Sequence, residues 1–133
     1  MLVSGQTRMQ VMDIIDQMVR HITRHEWEKV YALTDREFSG YLWGGPAAAP
    51  IGKEDLIRYL KGPSGNDRTV IVLSDVWIHA EGTTAWFRAG CTVQVESGDR
   101  ERSGKGVVTG VLRGVGHTWL FAQLHFTVPG CRE

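Results

Sequence analysis

At 133 residues the chain is the size of one ordinary domain and short for two, and a 42% hydrophobic share supports a packed core rather than disorder. Fifteen Lys and Arg balance fifteen Asp and Glu, so the basic surplus that phosphate backbones demand is absent and nucleic acid is not an expected partner. Neutrality also weakens mutual repulsion, which favours an oligomer that hides apolar surface.

Residues 1–10 are polar and carry no apolar signal core. No stretch approaches the roughly 20 apolar residues needed to span a bilayer, so the expectation is a cytoplasmic protein with no membrane partner. Cys91 and Cys131, the only cysteines, make neither a disulfide framework nor a zinc site. They read as a buried thiol on a strand and an exposed one in the tail.

From residue 8 to residue 33 the pattern is helical. Val11, Ile14, Ile15, Met18, Val19 and Ile22 recur at the spacing of one apolar stripe, with Asp13, Asp16, Gln17, Arg20 and Arg24 between them. A second short helix is expected over residues 26–33, with Trp27, Val30 and Tyr31 on one side. His21 and His25 have the spacing of a helical metal pair, but no third ligand follows and solvated histidines are the plainer reading. Residues 37–43 read as a short aromatic strand, Gly44-Gly45-Pro46 as a turn and residues 47–49 as a loop. Gly52-Lys53-Glu54 opens a helix that runs to Lys61, buries Leu56, Ile57 and Leu60, and stops at Gly62-Pro63.

After Arg68 the period becomes strand-like. Four strands are expected, over residues 69–80, 84–96, 102–113 and 118–128. Short turns at Glu81-Gly82, at Ser97-Gly98-Asp99 and around Gly114-Val115-Gly116 make them an antiparallel meander. Helices first and strands last define an α+β fold, with N-terminal helices packed on a strongly curved antiparallel sheet.

Alternation then assigns faces. On the last strand Trp119, Phe121, Gln123, His125 and Thr127 share one side, and Leu120, Ala122, Leu124, Phe126 and Val128 the other. On the strand over residues 84–96, Phe87, Ala89, Cys91, Val93 and Val95 oppose Trp86, Arg88, Gly90, Thr92 and Gln94. One assignment turns the mixed face inward as a pocket wall. The apolar face, with Phe87, Cys91, Val93, Leu124 and Phe126, then becomes the outer surface of a homodimer. The opposite assignment puts the apolar face under the helices and the mixed face in water.

The closing hairpin, from Val111-Leu112-Arg113 through Trp119 to the alternating strand ending His125-Phe126-Thr127-Val128-Pro129, resembles that of SnoaL-like domains of the nuclear transport factor 2-like superfamily. The upstream order of elements agrees over nearly the whole chain, so residues 1–133 read as a single such domain. The resemblance implies a cone-shaped, cystatin-like α+β barrel that encloses a pocket and is often dimeric. Family members include cyclases, ketosteroid isomerases, dehydratases and modules that only bind, so the fold does not settle the function.

Carried over residue by residue, the resemblance makes His125 and Thr127 a polar pair, Trp119 a wall aromatic and Gln123 a second polar side chain. His125 is the candidate acid or base; its plainer reading is a core histidine bonded to a helix group or water. Asp35, at the end of the second helix, could orient His125 or act as a base, or could simply be a surface residue. Arg88 could hold a ligand oxygen, while Trp27, Tyr31, Tyr41, Trp43 and Trp86 read as walls or as ordinary core. The expected ligand is a small hydrophobic or polycyclic molecule, with no metal or cofactor; the alternative is a cyclase, isomerase or dehydratase that moves a proton through His125. Asp75, Glu81, Glu96 and Glu101 lie at strand ends, turns or lead-ins, so no inward mid-sheet carboxylate of the isomerase type is visible.

Overall fold

The computed structural model describes residues 5–43 and 50–129. The turn and loop expected at residues 44–49 and the tail thiol Cys131 lie outside the described residues. Helix α1 (Gly5–Thr23) buries Val11, Ile14, Ile15, Met18 and Ile22, the stripe that its apolar spacing predicts. It ends at Thr23, and His25, two residues on, takes a left-handed φ of 57°. There the Glu26 N–H donates to the His21 carbonyl at 2.9 Å and the His25 N–H to that of Ile22 at 3.2 Å. Such bonds satisfy carbonyls that a helix end leaves orphaned. The same two histidines are engaged locally: His21 Nδ1 meets Glu26 Oε1 at 2.9 Å, and His25 stacks on Trp27 with ring centroids 5.0 Å apart. This segment is a helix stop, and it leads into α2 (Trp27–Ala32).

The chain then enters the sheet through the Phe121 N–H, which donates to the Leu33 carbonyl at 2.8 Å. Strand β1 (Thr34–Tyr41) starts three residues earlier than the spacing suggested, and the two-residue β2 (Ile51–Gly52) was not anticipated. Helix α3 (Lys53–Lys61) begins and ends where Gly52 and Gly62 indicated. Glu54 and Asp55 in its first turn and Arg58 and Lys61 in its last complement the helix dipole.

Strands β3 (Arg68–Glu81), β4 (Thr84–Ser97), β5 (Arg100–Val115) and β6 (Thr118–Thr127) form the expected antiparallel meander. The order across the six-stranded sheet is β2-β1-β6-β5-β4-β3, with β1 parallel to β6. The curled sheet is not closed, because β2 and β3 remain at its edges.

Ladder register fixes the faces, and it overturns the assignment that turned the mixed face inward. Paired residues share a face, so Gly40, Leu124, Gly110, Phe87 and Ile78 form one cross-sheet row, and all are buried. The neighbouring row, Tyr41, His125, Thr109, Arg88 and Trp77, lies on the helix-free side. Phe87, Cys91, Val93 and Leu124 are therefore core residues at 3%, 4%, 0% and 7% exposure, with Phe126 packed against them, and they cannot form an outer dimer surface. The physical reason is burial itself. The apolar face of β4 has the larger transfer free energy and takes the place under the helices.

Strand β6 adds a second correction. Val111 pairs with Gln123, but the adjacent Leu112 pairs with Phe121, so Ala122 is a bulge. The extra residue reverses the alternation. Trp119 and Phe121 pack on the core side, whereas Gln123, His125 and Thr127 fall on the opposite face.

Candidate ligand-binding cleft

Among the described residues, the space between helices and sheet is lined only by apolar side chains, including Ile15, Met18, Trp43, Leu60, Phe87 and Phe126, and amounts to about 30 Å³. That is about one water's share of liquid volume, so the interior is nearly filled. Beside it opens a cleft of about 320 Å³, at the low end for ligand sites. Its lining comes from the end of α3 (Arg58, Tyr59, Leu60, Gly62, Pro63), the start of β3 (Asp67, Thr69), Val95 on β4, Arg102 on β5, and Trp43. Trp43 and Leu60 line both spaces and stand between the cleft and the apolar interior. Trp43 is fixed edge-on between Phe126, at 4.9 Å, and Tyr59, at 6.3 Å.

Asp67 is the polar centre of this cleft. Its backbone N–H donates to the Lys61 carbonyl at 2.9 Å, which folds the 62–67 turn back onto the helix end. Gly62, at φ +73°, makes the room: a Cβ there would overlap the Asp67 carboxylate, and the conformation itself favours glycine. The side chain is buried at 4% exposure, and its Oδ1 has no hydrogen-bond partner. A buried polar atom of this kind is costly unless something bonds to it.

The residues nominated from the sequence are distributed differently. Trp43 alone among them lines the cleft. Trp86, Arg88, Gln123 and His125 line an open recess on the helix-free sheet face with Trp77. There Arg88 lies 5.0 Å from the Trp77 ring centroid, His79 packs between Trp77 and Trp86, and Tyr41 meets His125 edge-on at 4.9 Å. His125 Nε2 is buried without a partner. Thr127 is an exposed residue on this face beside Val107.

Asp35 belongs to neither site. Its Oδ1 accepts from the Arg113 guanidinium at 2.7 Å and its Oδ2 from the Glu37 N–H at 3.1 Å. Desolvation pushes its pKa up, but the Glu37 N–H and the Arg113 charge outweigh that, and the carboxyl is held below its ordinary value. Thr34, beside it, pairs with Phe121, whereas His125 pairs with Tyr41, about 13 Å along β6, so the two do not meet. Trp27 packs partly against the core, and Trp119 does so at the start of β6. Tyr31 bridges helices, donating to Glu54 Oε1 at 2.6 Å beneath the Lys53 ammonium. The hydrogen bond to Glu54, first, and then desolvation raise its pKa.

Tyr59, Asp67, Thr69 and Arg102 escaped the sequence reading, Asp67 because residues 64–67 look like a polar turn. The inner placement of Asp67 shows only in the burial pattern. Buried Thr69 and Ile71 alternate with exposed Val70 and Val72, and that parity extended back two residues puts Asp67 on the inner face.

The SnoaL-like domain family matches residues 11–130, and the chain belongs to that family. No curated protein matches it significantly. A structure of a candidate scytalone dehydratase from Novosphingobium aromaticivorans is similar, with a TM-score of 0.78 at 14% identity, over 95% of this chain and 91% of that one. So is a candidate dehydratase of the NTF2-like family from Streptomyces avermitilis, with a TM-score of 0.78 at 17% identity, over 92% and 96%. A protein of unknown function with a cystatin-like fold from Nostoc punctiforme gives 0.75 at 16%, over 96% and 95%. At such identities the likeness concerns the fold.

Proposed function

We propose that this protein binds a small, mainly apolar molecule in the cleft, with the ligand's body against Trp43, Tyr59, Leu60 and Val95. The observation that carries this reading is the sharing of Trp43 and Leu60 between the cleft and the wholly apolar interior. A ligand seated there covers apolar surface that water otherwise meets, at roughly 25 cal/mol per Å². Binding at 100 times Kd stabilises the fold by about 2.7 kcal/mol, which raises Tm by several degrees. A panel of two- and three-ring compounds in a thermal-shift assay tests this. Shifts reduced by Trp43→Ala support it; no shift across the panel, or shifts abolished by Trp86→Ala instead, contradict it. Proton transfer by His125 is not part of this reading, because His125 lies on the other sheet face from the cleft.

The same reading includes a homodimer through the helix-free face, with residues other than those first nominated. Val72 and Trp77 stand 59% and 42% exposed there, and Val70 and Val107 are also exposed. Large apolar residues in one exposed area mark association surfaces. Sedimentation at micromolar concentration is expected to give a dimer that Val72→Arg dissociates; a monomeric parent protein would contradict it.

A further inference from the structure

We infer that the open recess on the helix-free sheet face is a second binding site, which takes a flat aromatic carboxylate held by Arg88. It stands apart from the cleft, which lies on the other side of the sheet. Its shape follows from the ladder. Two neighbouring rows build it: Trp77, Arg88, Thr109 and His125 in one, and His79, Trp86, Val111 and Gln123 in the next. In both rows β5 contributes a short side chain, Thr109 or Val111, between longer ones on β4 and β6. The result is a trough along β5 of about 500 Å³, within the range of ligand sites. Two inter-strand spacings separate its walls, roughly 10 Å, which admits a one- or two-ring system lying over Thr109 and Val111.

The lining narrows the occupant. Trp86 gives one wall an aromatic surface, and exposed Thr109 and Gln123 add hydrogen-bonding groups. Arg88 is the one side chain of fixed charge in the lining, and no carboxylate stands beside it there. Its guanidinium lies over the Trp77 ring, 5.0 Å from the centroid, and no ion pair or hydrogen bond among the described residues engages it. Stacking on the indole uses a face of the guanidinium plane and leaves the in-plane N–H groups for a carboxylate fork. It also restrains a long side chain, which lowers the entropy lost when an anion binds. A cationic ligand would meet Arg88 with no acid in the lining to offset it, and a neutral one would leave the fork unused. The valines of the proposed dimer lie on separate rows beyond Trp77, first Val107, then Val72, then Val70.

The experiment is an amide chemical-shift titration of the full chain with 2-naphthoate and, in parallel, with 2-naphthol, which shares the rings but is uncharged at neutral pH. Naphthoate is expected to shift the amides of residues 86–88, 109–111 and 123–125 saturably, and naphthol to bind there at least about fivefold more weakly. Arg88→Gln, at an exposed position, is expected to weaken naphthoate at the trough by about five- to tenfold. Arg88→Lys keeps the charge, loses the fork, and should fall between the two. Salt at about 0.5 M should weaken wild-type binding and leave that of Arg88→Gln nearly unchanged. An absence of naphthoate shifts at the trough, shifts at the cleft alone, or equal trough affinity in wild type and Arg88→Gln would each overturn the inference. None of these outcomes bears on whether the cleft binds an apolar molecule.

Discussion

Asp35 and Arg113 meet across 78 residues of sequence, and the pair is asymmetric: the carboxylate is buried and the guanidinium is about half exposed. Because the folded-state pKa of Asp35 is depressed, its contribution is present above the unfolded carboxylate value of about 3.9. It is lost as pH falls through the lower folded value. Asp35→Asn is expected to lower the urea midpoint at pH 7, by an amount equivalent to about 1–3 kcal/mol. Below pH 3 the difference from wild type should shrink. A variant equally stable at pH 7, or a gap that widens in acid, would contradict the pairing. Neither this pair nor the orphan oxygen of Asp67 was legible in the sequence. A salt bridge spanning the fold depends on tertiary register, and the polar turn around Asp67 masks its parity with β3.

The elements themselves were largely legible, because each carries a local signal. The apolar stripe from Val11 to Ile22 identifies α1, the flanking Gly52 and Gly62 delimit α3, and glycine-bearing turns separate the strands of the meander. What was not legible is non-local or depends on one extra residue. The parallel seat of β1 beside β6 leaves no periodic mark. The Ala122 bulge, and another between Ser74 and Trp77 where Asp75 takes φ 53°, look like continuous strand. Close approach between strands offers a test at this scale. A Cβ on Gly106 would overlap the Thr127 carbonyl, which is backbone and cannot swing away. Gly106→Ala should therefore cost about 1–3 kcal/mol and lower the urea midpoint. An unchanged midpoint would mean that β5 and β6 lie farther apart at that end.

For the molecule as a whole, the α+β class and the family resemblance both held, while the two sheet faces exchanged roles. The sequence displays a wholly apolar face and a mixed one, and either could line a pocket. The structure puts the apolar face of β4 under the helices, nearly fills the interior, and moves the polar chemistry to the cleft where α3 ends and β3 begins. His125, Arg88 and Trp86 stay together, but on the far side of the sheet. Binding in the cleft is read out by amide chemical-shift mapping with 2-naphthol. Shifts concentrated at residues 59–69, Val95 and Arg102 are expected. Shifts confined to Trp77, Trp86, Arg88 and His125 on the helix-free face would contradict it.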